Sequence, residues 1–84
     1  MTMMMIGEMN SMNIRCIKQV IDFEDNKSIF FEEGVQYEAS VNVDAFGMPR
    51  LYTVDEEGEN HIVSINKERN WEECDWFYEH FRIV

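Results

Sequence analysis

Eighty-four residues make one small domain, and 17 Asp and Glu against seven Lys and Arg give it a formal net charge of −10. A chain this short buries only about 60–65% of its unfolded surface, which leaves few apolar residues for an enclosed catalytic cavity and no room for a second domain. The acidic field repels phosphate backbones and anionic membranes, so direct nucleic-acid and membrane binding are disfavoured, and the natural partner is a basic protein surface.

Residues 1–12 read as a flexible leader, because six of the seven methionines fall there beside a single charge, Glu8, with neither helical nor strand periodicity. Two readings of this leader stand: an upstream start with Met12 as the initiator, or an adhesive Met-rich arm that packs on a partner or a second copy. Residues 13–84 form the domain. Its first strand carries Ile14, Cys16 and Val20 on one side and Ile17, Ile21 and Phe23 on the other. The alternation slips at Lys18-Gln19, which predicts a bulge or bend. Asp22 to Ser28 is an acidic loop, Ile29-Phe30-Phe31 follows, and Glu32-Glu33-Gly34 is a tight turn in which Gly34 takes a positive φ.

From Val35 to Val43, apolar residues alternate with Gln36, Glu38, Ser40 and Asn42, the pattern of a half-buried strand. Gly47 and Pro49 punctuate the connector after it. Arg50 to Asp55 and His61 to Ile65 are two further strands, joined by a hairpin through Glu56-Glu57-Gly58-Glu59. Asn70 and Glu73 have capping-box spacing, and Trp71, Cys74, Phe77 or Tyr78, and Phe81 recur at helical intervals, which predicts a short helix from Trp71 to about Tyr78. Phe81 to Val84 closes the chain as a strand. The expected fold is mostly β, a small five-stranded barrel with one short helix before the last strand, and no internal repeat is visible in the sequence.

The order "MNIRCIKQ", "FFEEGVQYEASVN", "LYTVDEEGENHIVS" and "FRIV" resembles small Src-homology-3-like barrel proteins of Gram-positive bacteria and their phages, whose members carry a "GKxYEV"-like strand, a "DDxGEE" hairpin and an "FEV"-like last strand. The resemblance covers most of residues 12–84. It implies a five-stranded barrel of the phage or mobile-element kind and brings no catalytic residues with it.

No chemistry-bearing constellation stands out. Cys16, His61, Cys74 and His80 lack the two-to-four-residue ligand spacing of structural zinc sites. Cys16 and Cys74 are expected as reduced thiols, with Glu72, Glu73 and Asp75 raising the pKa of Cys74 and blunting it. Asp55, Glu56, Glu57 and Glu59 lack the alternating ligands of a calcium loop and read as a solvated hairpin tip. No metal, no cofactor and no catalysis is expected. With no membrane-spanning run and no secretory signal, a soluble cytoplasmic protein is expected.

The run Trp71 to Phe81 is different, since six of its eleven residues are aromatic or histidine. A helix with Trp71, Cys74, Phe77 and Phe81 inward leaves Trp76 and Tyr78 outward among acids, which describes either an aromatic seal on the barrel end or a docking surface for a basic partner. The expected function is therefore non-enzymatic: an acidic phage or mobile-element accessory protein that docks on a basic surface of a host protein and inhibits or redirects it, by nucleic-acid mimicry or counter-defence. Glu56, Glu57, Glu59, Glu72, Glu73 and Asp75 would supply charge, and Trp76 and Tyr78 the anchors. The alternative is an assembly module that acts through sheet-edge pairing or homodimerisation.

Overall fold

The computed structural model describes residues 11–84, and most of the Met-rich leader lies outside them. Its last two residues do not: β1 (Ser11–Cys16) begins at Ser11, and Met12 sits opposite Ala39 and packs against the core. Short β2 (Val20–Ile21) and β3 (Ile29–Phe31) follow, then β4 (Gln36–Val43), β5 (Pro49–Val54) and β6 (Asn60–Ile65). A 3₁₀ turn at Trp71–Glu73, helix α1 (Asp75–His80) and β7 (Phe81–Ile83) complete the chain.

Five of the strands form one antiparallel sheet in the order β6-β5-β4-β1-β7, curled into a half-barrel. β2 and β3 pair as a separate ribbon. The slip read at Lys18-Gln19 is thus a full break in the strand. Ile17 N–H and Lys18 N–H both donate to the His80 carbonyl, and the chain then leaves the sheet to begin the ribbon.

Alternation works as expected along β4. Tyr37, Ala39 and Val41 pack on the core, and Ile14 of β1 and Leu51 of β5 sit opposite Tyr37 and Val41 on the same face. A bulge between Leu51 and Tyr52 lets β6 turn both Val63 and Ser64 inward. The remaining core is aromatic. Phe31, Phe77 and Phe81 are buried, and Phe81 lies 5.3 Å from Phe31 and 5.5 Å from Phe77 between ring centroids.

Three connections share one design that alternation does not reveal. Asp44, Asp55 and Asn66 recur every 11 residues. The Oδ1 of each accepts the N–H groups two and four residues ahead: Phe46 and Met48, Glu57 and Glu59, Glu68 and Asn70. In each the third residue ahead donates its N–H back to the Asp or Asn carbonyl and has a positive φ. Gly47 and Gly58 fill that position in the first two turns, where a residue with a Cβ would be strained. Arg69 fills it in the third, at φ 64°.

Because an L-residue in the left-handed region costs about 1–2 kcal/mol and glycine adds about 0.4–1 kcal/mol of unfolded-chain entropy, Arg69→Gly is expected to stabilise the domain by about 0.5–1 kcal/mol in urea unfolding. Phe81→Ala, which empties the centre of the aromatic core, is expected to cost about 3–5 kcal/mol in the same assay, and Ile14→Val about 0.5–1.5 kcal/mol.

Candidate functional site

The helical segment differs from its expected form in a way that shapes the surface. Asn70 makes no side-chain cap, and its own N–H is held by Asn66. Trp71–Glu73 is a 3₁₀ turn, Cys74 is extended (φ −80°, ψ 117°), and the α-helix starts only at Asp75. On one unbroken helix Trp71 and Phe77 would lie about 120° apart, at opposite edges of a single apolar face. With the extended residue between them, both are buried, and Ser64 Oγ of β6 donates to the Trp71 carbonyl at 2.8 Å.

Trp76 and Tyr78 are exposed as expected, 41% and 51%. They do not form one patch, since positions two apart on a helix point to different sides. Trp76 stacks on His80 with ring centroids 4.3 Å apart, and the His80 Nδ1–H group donates to the Trp76 carbonyl. On the other flank the Arg82 guanidinium carbon lies 3.8 Å from the Tyr78 ring centroid, and Arg82 also donates to the Tyr78 carbonyl. Tyr78 is therefore already engaged by a cation of this chain.

Trp76 instead borders an apolar groove of about 170 Å³ between β6 and α1, lined with Ile62, Val63, Ser64, Ile65 and Cys74. Ile62 and Ile65 are exposed by 42% and 45%. Sequence reading named neither, because it took His61 to Ile65 only as a strand and did not sort its residues between faces. Their exposure follows from the bulge, which puts Ile62 and Ile65 on the outer face beside Tyr52 and Arg50 while Val63 and Ser64 face in.

The acids divide into two groups held by different elements. Glu72 and Glu73 lie on the 3₁₀ turn and Asp75 and Glu79 on α1, all exposed. Glu79 pairs with Lys18 at 2.6 Å, and a Glu72 carboxylate oxygen lies 3.4 Å from the Ile83 N–H. Glu73 and Asp75 form no ion pair among the described residues. The other group is the β5–β6 tip. There Glu56 accepts from the Tyr37 hydroxyl at 2.6 Å, while burial and that bond raise the Tyr37 pKa. Glu57 and Glu59 are exposed, but Asp55, read as part of a solvated tip, is buried.

Asp55 is the lock of the hairpin. Beyond its two amide bonds, its Oδ2 lies 2.6 Å from His61 Nε2. Burial alone would raise its pKa, but the Glu59 N–H, the His61 side chain and the Glu57 N–H outweigh burial and hold it below the usual carboxylate value. Ligand atoms of Asp55, Glu59 and His61 lie within 4.8 Å of one another, yet both Asp55 oxygens are occupied by bonds that close the turn.

Cys16 and Cys74 are free thiols. Burial pushes the Cys16 pKa up. Cys74 corrects the expectation of a blunted thiol. Its burial acts upward, but the N–H groups of Phe77, Ile65 and Trp76 and the Ser64 hydroxyl favour the thiolate and bring its pKa below the ordinary value.

No helix among the described residues is long and apolar enough to cross a membrane. Compared with protein-family models, curated proteins and solved structures, the chain has no match in any of the three.

Since the folded state lowers the Asp55 pKa, its contribution to stability is complete above the unfolded value of about 3.9 and disappears as pH falls through the lower folded value. Asp55→Ala is expected to lose about 2–3 kcal/mol at neutral pH and to flatten the acid limb of stability below pH 4 in pH-dependent unfolding.

Proposed function

We propose that this protein is a non-enzymatic docking module that binds a basic surface of another protein through its α1 side. The observation that carries the reading is the exposed Trp76 at an apolar groove, beside the exposed Asp75 in a segment where neither Glu73 nor Asp75 forms an ion pair among the described residues. Aromatic anchors in partly enclosed apolar sites supply binding energy, and rim charges set the approach rate and the choice of partner. The curled five-stranded sheet with a short helix before its last strand agrees with the small-barrel architecture expected from the sequence motifs, and the phage or mobile-element accessory role rests on the motif resemblance alone. In that setting the bound host protein is inhibited or redirected in the host cytoplasm, because carboxylates occupy sites that otherwise hold phosphates. The tip acids Glu56, Glu57 and Glu59 contribute to the long-range field, while Glu72, Glu73, Asp75 and Trp76 make the contact.

Edge pairing has less to work with at β7. Phe81 N–H donates to the Phe77 carbonyl, Arg82 donates to the Phe81 carbonyl, and Glu72 lies over the Ile83 N–H. Capped groups of this kind discourage addition of another strand.

The test is affinity capture from a Gram-positive host lysate, followed by kinetics on the captured protein. Glu72→Lys with Glu73→Lys is expected to slow association at low salt by about 10-fold or more and to flatten its salt dependence. Unchanged association at low salt would rule out electrostatic docking through this face.

A further inference from the structure

The geometry points to a specific occupant for the β6–α1 groove: an extended or helical segment of the partner that inserts one aliphatic or aromatic side chain between Ile62, Ile65 and Trp76, with Lys or Arg on either side of it. This rests on the docking function proposed above and specifies its ligand.

Size comes first. The groove's volume of about 170 Å³ is far below the roughly 300–1,000 Å³ of cofactor and small-molecule sites, but close to the ~150 Å³ apolar cavity that admits a benzene ring. It holds one side chain. Its lining is dominated by Ile62, Val63, Ile65 and Trp76, so the inserted group is apolar.

Charge then selects what flanks it. The wall of the groove opposite β6 is Cys74 and Trp76, and the residue between them is the exposed carboxylate Asp75, whereas Glu73 lines a separate cleft beside Trp71 and Ile83. From Trp71 to Phe81 the chain carries four carboxylates and no Lys or Arg. Of the four, only Glu79 forms an ion pair among the described residues, with Lys18. An apolar anchor without basic neighbours would leave the Asp75 carboxylate partly desolvated and unpaired, whereas flanking Lys or Arg would pair with it and with the wider acidic field of this segment.

The experiment selects random dodecapeptides displayed on a surface against the full 84-residue protein. An acidic bait enriches basic peptides through charge alone, so the groove is read from the apolar anchor. Expected are peptides with a Leu, Ile, Met or Phe flanked by Lys or Arg. Their affinity is expected to fall at least 10-fold for Trp76→Ala and for Ile65→Asp, both at exposed positions and both checked for unchanged thermal unfolding. Replacing the peptide anchor by Ser should cost a similar factor.

Peptides that are merely basic, with no recurrent apolar residue, would overturn the proposal, as would peptides that bind Ile65→Asp as tightly as the parent. So would a concentration-dependent dimer in sedimentation that Ile65→Asp abolishes, because a second copy would then fill the groove. A captured host protein that is kept by Ile65→Asp but lost with the Glu72→Lys and Glu73→Lys pair would remove the groove occupant and leave acidic docking standing.

Discussion

One layer of sheet cannot bury itself, and the whole molecule depends on how its open side is closed. The closing element is the segment from Trp71 to Phe81. Trp71, Phe77 and Phe81 fill the concave face against Ile14, Phe31, Leu51 and Val63, and they do so from a 3₁₀ turn, a helix and a strand in immediate succession. In so small a domain these three side chains are a large share of the buried apolar surface. Their inward orientation also fixes what faces outward: once Phe77 is buried, Trp76 must lie on one flank and Tyr78 on the other.

Extended Cys74 stands between the buried Trp71 and Phe77, and it links packing to surface chemistry. The break in the helix resets the direction of the chain, so that Trp71 and Phe77 converge. The same break places the Cys74 sulfur and Trp76 along β6, where the bulge has turned Ile62 and Ile65 outward. The groove is therefore a by-product of two irregularities, one in the strand and one in the helix, and neither serves the core alone. Two other loops show how irregular backbone is held elsewhere. Asp44 and Asp55 each capture two amides and set the following strand, and Asp55 adds a buried contact to His61.

Much of the fold was legible in the sequence because period-two alternation reports sheet faces directly. The β4 pattern, the Gly34 turn and the Gly58 hairpin all follow from local rules. The break after Cys16 was visible only as a slip in register, since no local rule distinguishes a bulge from a strand that leaves its sheet. The 11-residue recurrence of Asp44, Asp55 and Asn66 escaped notice because Arg69 stands where the other two turns have glycine. At the candidate site, the exposure of Trp76 and Tyr78 could be read from helical spacing. Their placement on separate flanks follows from the same two-residue spacing, whereas the start of the helix at Asp75 did not, because Asn70 was a misleading cap. Ile62 and Ile65 were hidden for a related reason, as the run Ile62-Val63-Ser64-Ile65 does not alternate and its outer face is set by a bulge that no local rule marks.

The central claim is that burial of Trp71 and Phe77 presents Trp76, Ile62 and Ile65 as one binding face. The most direct measurement is a nuclear magnetic resonance titration of the isotope-labelled protein with a synthetic peptide bearing one leucine flanked by lysines, beside the same peptide with serine in place of leucine. The account predicts that the leucine peptide shifts the Trp76 indole and the Ile62 and Ile65 amides while the Trp71 indole stays in place, and that the serine peptide has a much weaker effect. Shifts confined to the Glu56–Glu59 tip, or identical for the two peptides, would contradict it.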